Sequence, residues 1–100
     1  MKKILIVDDE QSIIDSISMV LTSEGYEITG CLNGLTALQN IKNTEYDLIL
    51  LDIKMPKMDG IEVLEKIMEF DRKNVVIMIS GHGTIDTAVE ATKKGAYNFL

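Results

Sequence analysis

Two short apolar runs in this chain each end in acid. Leu48–Leu51 leads directly into Asp52, and Ile4–Val7 leads into Asp8, Asp9 and Glu10. A carboxylate at the end of a buried strand is costly to ionise unless something compensates it. Two strands that each deliver acid at the C-terminal end suggest one shared acidic pocket. Carboxylates held in one cleft repel one another, and their ionisation becomes coupled. A divalent cation relieves the repulsion. An all-oxygen donor set suits a hard ion such as Mg2+, which keeps several waters and so leaves room for phosphate oxygens. A carboxylate can also attack phosphorus to form an aspartyl phosphate, with the metal offsetting charge on the phosphoryl group.

Asp52 is the candidate nucleophile, because it stands alone at its strand end, and Asp8 and Asp9 are the candidate metal ligands. Ser80 closes another apolar run in Ile79-Ser80-Gly81, where its hydroxyl and the following backbone N–H groups can contact a phosphoryl group. The plainer readings stand beside these. Asp9 can serve as the cap of a first helix, Asp59-Gly60 as a helix entry, and Cys31 as a structural residue. Met55, Met58, Met68 and Met78 read as loop or core fillers.

The elements that must position these groups are legible as alternating patterns. Ile4–Val7, Leu48–Leu51 and Val75–Ile79 are short and rich in branched residues, as expected for a parallel sheet covered on both faces. Tyr26–Cys31 alternates and suits a strand near an edge. Helical spacing recurs in Ile13, Ile14, Ile17, Val20 and Leu21; in Leu35, Leu38 and Ile41; in Ile61, Leu64, Ile67 and Met68; and in Ile85, Ala88, Val89 and Thr92. Gly25 and Gly95 close the first and last of these. The order β-α-β-α-β-α-β-α, with Tyr97–Leu100 opening a fifth strand, predicts a three-layer, flavodoxin-like, doubly wound parallel α/β sheet. In the strand order 2-1-3-4-5, the switch point lies between strands 1 and 3, the two that end in Asp8-Asp9 and Asp52.

Composition narrows the function further. The chain has 100 residues, 46% hydrophobic and 26% charged, which favours one domain. Its net charge of −6 and the absence of a basic patch argue against direct nucleic-acid binding. No apolar segment approaches the ~18 residues of a membrane span, and the N-terminus is unlike a signal peptide. One cysteine and one histidine exclude a usual zinc site and fit a cytoplasmic protein. Gly81-His82-Gly83 lacks the rest of a dinucleotide fingerprint, and no P-loop is present.

Val7-Asp8-Asp9-Glu10, the segment from Asp52 to Gly60 and the segment from Ser80 to Thr84 together resemble the receiver domain of two-component response regulators, the CheY-like family. The residues from Ser80 to Leu100 look like receivers of NtrC/NtrX-type transcriptional regulators. The resemblance implies that Asp52 accepts phosphate from a sensor histidine kinase. It implies Mg2+ held by Asp8, Asp9, Asp52 and the backbone carbonyl of Lys54, with Gly81 offering a backbone N–H to the phosphoryl group. Ser80 and Phe99 fill the two switch positions, and Lys54 and His82 occupy positions that tune phosphate lifetime. The expected role is a phosphorylation-controlled module that regulates its own or a fused output domain in transcription, rather than a turnover enzyme.

One departure stands out. Receivers carry an active-site lysine, a proline and a final helix beyond the point where this chain stops, so residues 1–100 read as a receiver with strand 5 cut short and helix 5 absent. Weakened phosphorylation and a non-native homodimer, paired or swapped through an uncovered sheet edge, are the corresponding expectations. The rivals are a pseudo-receiver acting by protein contact alone and an Asp/Mg2+ phosphatase of haloacid-dehalogenase type. The latter wants a second Asp where Lys54 stands.

Overall fold

The computed structural model describes residues 2–53, 55, 57–79 and 85–100, without the side chains of residues 85–88 and 99. The elements run β1 (Lys3–Val7), α1 (Gln11–Ser23), β2 (Glu27–Cys31), α2 (Gly34–Asn43), β3 (Leu48–Asp52), α3 (Gly60–Phe70), β4 (Val76–Ile79), α4 (Ile85–Lys93) and β5 (Asn98–Phe99). All pairings are parallel, and the strand order is β2-β1-β3-β4-β5, as the alternating pattern predicts.

The sheet separates two apolar layers because side chains alternate along each strand. Leu5, Val7, Ile49, Leu51, Val76 and Met78 pack against α2, α3 and α4, where Ala37, Ile41, Val63, Leu64, Ile67 and Ala91 meet them. Ile4, Ile6 and Leu50 face the other side, to which, among the described residues, α1 alone contributes helical side chains. Both faces of β1 and β3 are therefore dry, which explains why their sequences are continuous apolar runs.

The helices bury part of what the periodicity singled out: the α3 stripe of Ile61, Leu64, Ile67 and Met68 faces the core as expected, while the other helices differ at particular positions. In α1 the inward stripe is Ile14 with Ile17 and Leu21 half-buried, whereas Val20 is 62% exposed and Ile13 sits at the margin. In α2 the small residues Gly34 and Ala37 face inward with Ile41, and Leu35 is 62% exposed. In α4 Ala91 is fully buried while Val89 and Thr92 are exposed. Small residues let the helix axes approach the sheet and each other, so the longer side chains are displaced to the margins. The expected ends hold. Gly25 and Gly95 both stand at positive φ just beyond α1 and α4.

Met55, Met68 and Met78 are buried and Met58 packs on the same cluster, as filler residues should. The final strand is shorter than the span Tyr97–Leu100 suggests. Tyr97 and Leu100 donate backbone N–H groups to Val76 and Met78 of β4, but their side chains are exposed. No helix among the described residues is long and apolar enough to cross a membrane.

Candidate functional site

β1 and β3 lie side by side, with Val7 opposite Leu51, so the residues that follow them emerge at the same edge. Carboxylate oxygens of Asp8, Asp9 and Asp52 all lie within 4.8 Å of one another. The acidic pocket expected from two separate sequence segments is therefore assembled at the switch point.

Each acid is held differently. Asp8 is 93% buried, with 7% of its surface accessible. Its backbone N–H donates to the Cys31 carbonyl of β2 at 3.0 Å, continuing the β1–β2 ladder past the last strand residue. Its Oδ1 accepts the Glu10 N–H at 2.9 Å, which aims the carboxylate across the sheet edge. Burial pushes the Asp8 carboxyl above its ordinary value of 3.8; the Glu10 N–H opposes this, and the charges of Asp9 and Glu10 reinforce it. Asp9 is exposed at the rim. It does not cap α1: the cap position is Glu10, which makes no side-chain capping bond. Asp9 is thereby left for the pocket. Cys31, the structural residue of the sequence reading, is buried behind Asp8 and accepts from Asn40 Nδ2 at 3.0 Å.

Asp52 is half-buried and closes β3, with Ile79 of β4 opposite it. The next N–H, from Ile53, donates to the Ile79 carbonyl at 3.2 Å. The chain then turns back through Met55, which is buried, into α3. Asp59 is the helix cap, accepting the Glu62 N–H at 3.0 Å, as the Asp59-Gly60 pair suggests. Within this loop Lys57 adopts φ 71°, a left-handed conformation disfavoured for a residue with a Cβ. Lys57→Gly is expected to leave stability unchanged or raise it by under about 1 kcal/mol. Lys57→Val should cost about 1–3 kcal/mol, because branching at Cβ aggravates the left-handed strain. Urea unfolding of the two variants checks the pair.

Lys54, Ser80, Gly81 and His82 lie outside the described residues. Phe99 is placed by its backbone alone, opposite Met78 of β4. The sequence reading took Gly60 as part of a helix entry, which it is, and missed its contact with the end of β3. A Cβ there would overlap the Asp52 carbonyl oxygen and lie 2.8 Å from Ile53 Cα. The available signal was a glycine at the first position of a helix that follows the acid-bearing strand.

Three clustered carboxylates with only oxygen donors fit a hard divalent cation. The burial of Asp8 adds to the fit, since a cation relieves the cost of keeping that group ionised. Fold and site together define a flavodoxin-like module with a cation-type acidic pocket at its switch point. The chain belongs to the response regulator receiver domain family, which it matches over residues 4–100. It is 40% identical over 101 residues to the chemotaxis protein CheY of Treponema pallidum, covering 98% of this chain and 70% of that one. It is 42% identical over 99 residues to the nitrogen assimilation regulatory protein NtrX of Azorhizobium caulinodans, covering 97% of this chain and 22% of that one. Among solved structures it resembles the response regulator TrrA of Thermotoga maritima in complex with Mg2+ and beryllofluoride. The TM-score is 0.91, with 33% identity, over 100% of this chain and 85% of that one. The chain thus spans about a fifth of the length of the transcriptional regulators it matches. The family is that of two-component response regulators, whose receivers are regulatory phosphoacceptor modules rather than classical enzymes.

Proposed function

We propose that residues 1–100 act as a receiver in which Asp52 accepts a phosphoryl group from a sensor histidine kinase. The observation that carries this reading is the convergence of the Asp8, Asp9 and Asp52 carboxylates within 4.8 Å at the switch point. Asp8 and Asp9, with Asp52 and the Lys54 carbonyl, would hold Mg2+; when bound, the ion offsets negative charge on the transferring phosphoryl group. An Asp52 carboxylate oxygen forms the new bond to phosphorus, and the bond from phosphorus to the donor breaks, leaving an acyl phosphate on β3. The Ser80 hydroxyl and the Gly81 N–H would contact the phosphoryl oxygens. Ser80 and Phe99 would report its arrival to an output domain that acts in transcription, and Lys54 and His82 would tune its lifetime. The regulators among the matched relatives support that role, and the single-cysteine composition suits a cytoplasmic setting.

The test is incubation with Mg2+ and acetyl phosphate, followed by intact mass and peptide mapping. A single acid-stable, hydroxylamine-labile adduct on Asp52 is expected. No adduct, or one at another residue, would refute the assignment. A phosphatase of haloacid-dehalogenase type is disfavoured by Lys54, which stands where that chemistry needs a second acid.

A further inference from the structure

The end of β3 is gripped from two sides. On one side Ile53 N–H bonds the Ile79 carbonyl of β4 at 3.2 Å. On the other, the first residue of α3 rests directly on the strand: Gly60 N–H donates to the Ile53 carbonyl at 2.6 Å. A Cβ at Gly60 would overlap the Asp52 carbonyl oxygen and stand 2.9 Å from the Asp52 carbonyl carbon. The atoms it would meet are backbone, so no side-chain rotation relieves the overlap. The α3 terminus is itself tied down, by the Asp59 cap and by Val63, Leu64 and Ile67 in the core.

We infer that Gly60 is a positioning residue for Asp52: the bare Cα at the start of α3 sets where the β3 end lies, and so where the Asp52 carboxylate stands relative to Asp8 and Asp9. With α3 anchored, a methyl group at residue 60 displaces the Asp52 main chain, while Asp8 stays tied to the Cys31 carbonyl of β2 and to the Glu10 N–H. Geometry at this scale matters, since a misplacement of about 1 Å can cost roughly 100-fold in rate. The inference rests on Asp52 being the phosphoacceptor.

The experiment compares Gly60→Ala with Gly25→Ala. Gly25 has φ +94°, lies at the far end of α1, and has nothing within 4 Å of an added Cβ. Its alanine variant therefore strains the backbone without touching the pocket. Mg2+ is titrated against the amide NMR signals of Asp8 and Asp9, and acetyl phosphate labelling is timed, under conditions where circular dichroism shows each variant folded. Gly60→Ala should weaken Mg2+ binding several-fold and slow labelling by about ten-fold or more; Gly25→Ala should change neither. Wild-type values for Gly60→Ala, or equal losses in both variants, would overturn the inference. If Gly60→Ala does not fold, Asp59→Ala loosens the same helix start without adding atoms. It should weaken Mg2+ binding while remaining folded, and unchanged affinity there overturns the inference equally. A wild-type chain that neither binds Mg2+ nor takes the label would overturn the phosphoacceptor reading beneath it, and this inference with it.

Discussion

Asp52→Asn is expected to abolish phosphoryl acceptance, with labelling by acetyl phosphate and Mg2+ reduced by ~100-fold or more. The amide oxygen carries no full negative charge and is a poor nucleophile towards phosphorus. A loss of that size corresponds to about 2.7 kcal/mol of barrier, at 1.36 kcal/mol per tenfold. The substitution is nearly isosteric, so β3 and its pairing with β4 should persist, and urea unfolding should show a folded chain. Asp8 and Asp9 lie within reach of the same ligand and are the residues that would inherit the label were the assignment wrong. Wild-type labelling of Asp52→Asn, mapped to either of them, would move the nucleophile to β1.

Asp8→Asn should separate function from stability. Loss of a buried carboxylate at ligand distance removes an attraction of about 4 kcal/mol per unit charge at an effective dielectric of 20. Mg2+ affinity should fall on the order of 100-fold, read by calorimetric titration. The metal-free protein should become more stable. Burial raises the Asp8 carboxyl above its ordinary range, so the protonated form is the one the fold prefers. The sign follows from linkage. A carboxyl whose folded pKa is raised contributes stability that is present below the unfolded pKa and lost as pH rises through the folded one. At neutral pH the ionised Asp8 therefore costs stability, and asparagine relieves that cost. A Tm increase of a few degrees is expected, given ~4–8 °C per kcal/mol in a domain this small. The gain should shrink as pH falls into the carboxylate range. Mg2+ binding to the wild type should weaken over the same interval, because protons compete for Asp8. A lower Tm for Asp8→Asn at pH 7 would contradict this account. Function purchased with local instability is a common arrangement at active sites.

Much of the architecture was legible because parallel strands covered on both faces must be apolar throughout. Ile4–Val7 and Leu48–Leu51 could hardly be anything else, and the acids after them could only lie at strand ends. Helix limits were legible at Gly25, Asp59 and Gly95, where a left-handed residue or a cap is a local requirement. Helix faces were less so. Leu35, Val20 and Val89 satisfy a periodic pattern yet lie outside, while Gly34, Ala37 and Ala91 lie inside. Periodicity ranks residues by hydrophobicity, whereas close approach of helices selects small ones.

The residue types and their order along the chain carry the chemistry we propose: oxygen ligands suited to a hard cation, one acid at a strand end as candidate nucleophile, and a strand order that places the two clusters at one switch point. Only the tertiary structure decided how the acids are held. It set Asp8 in the dry interior beside the Cys31 carbonyl, freed Asp9 from capping α1, and seated Gly60 against the Asp52 main chain. These are contacts between segments distant in sequence. Their distances depend on how closely two helices and a strand pack, and no local pattern of residues encodes that separation.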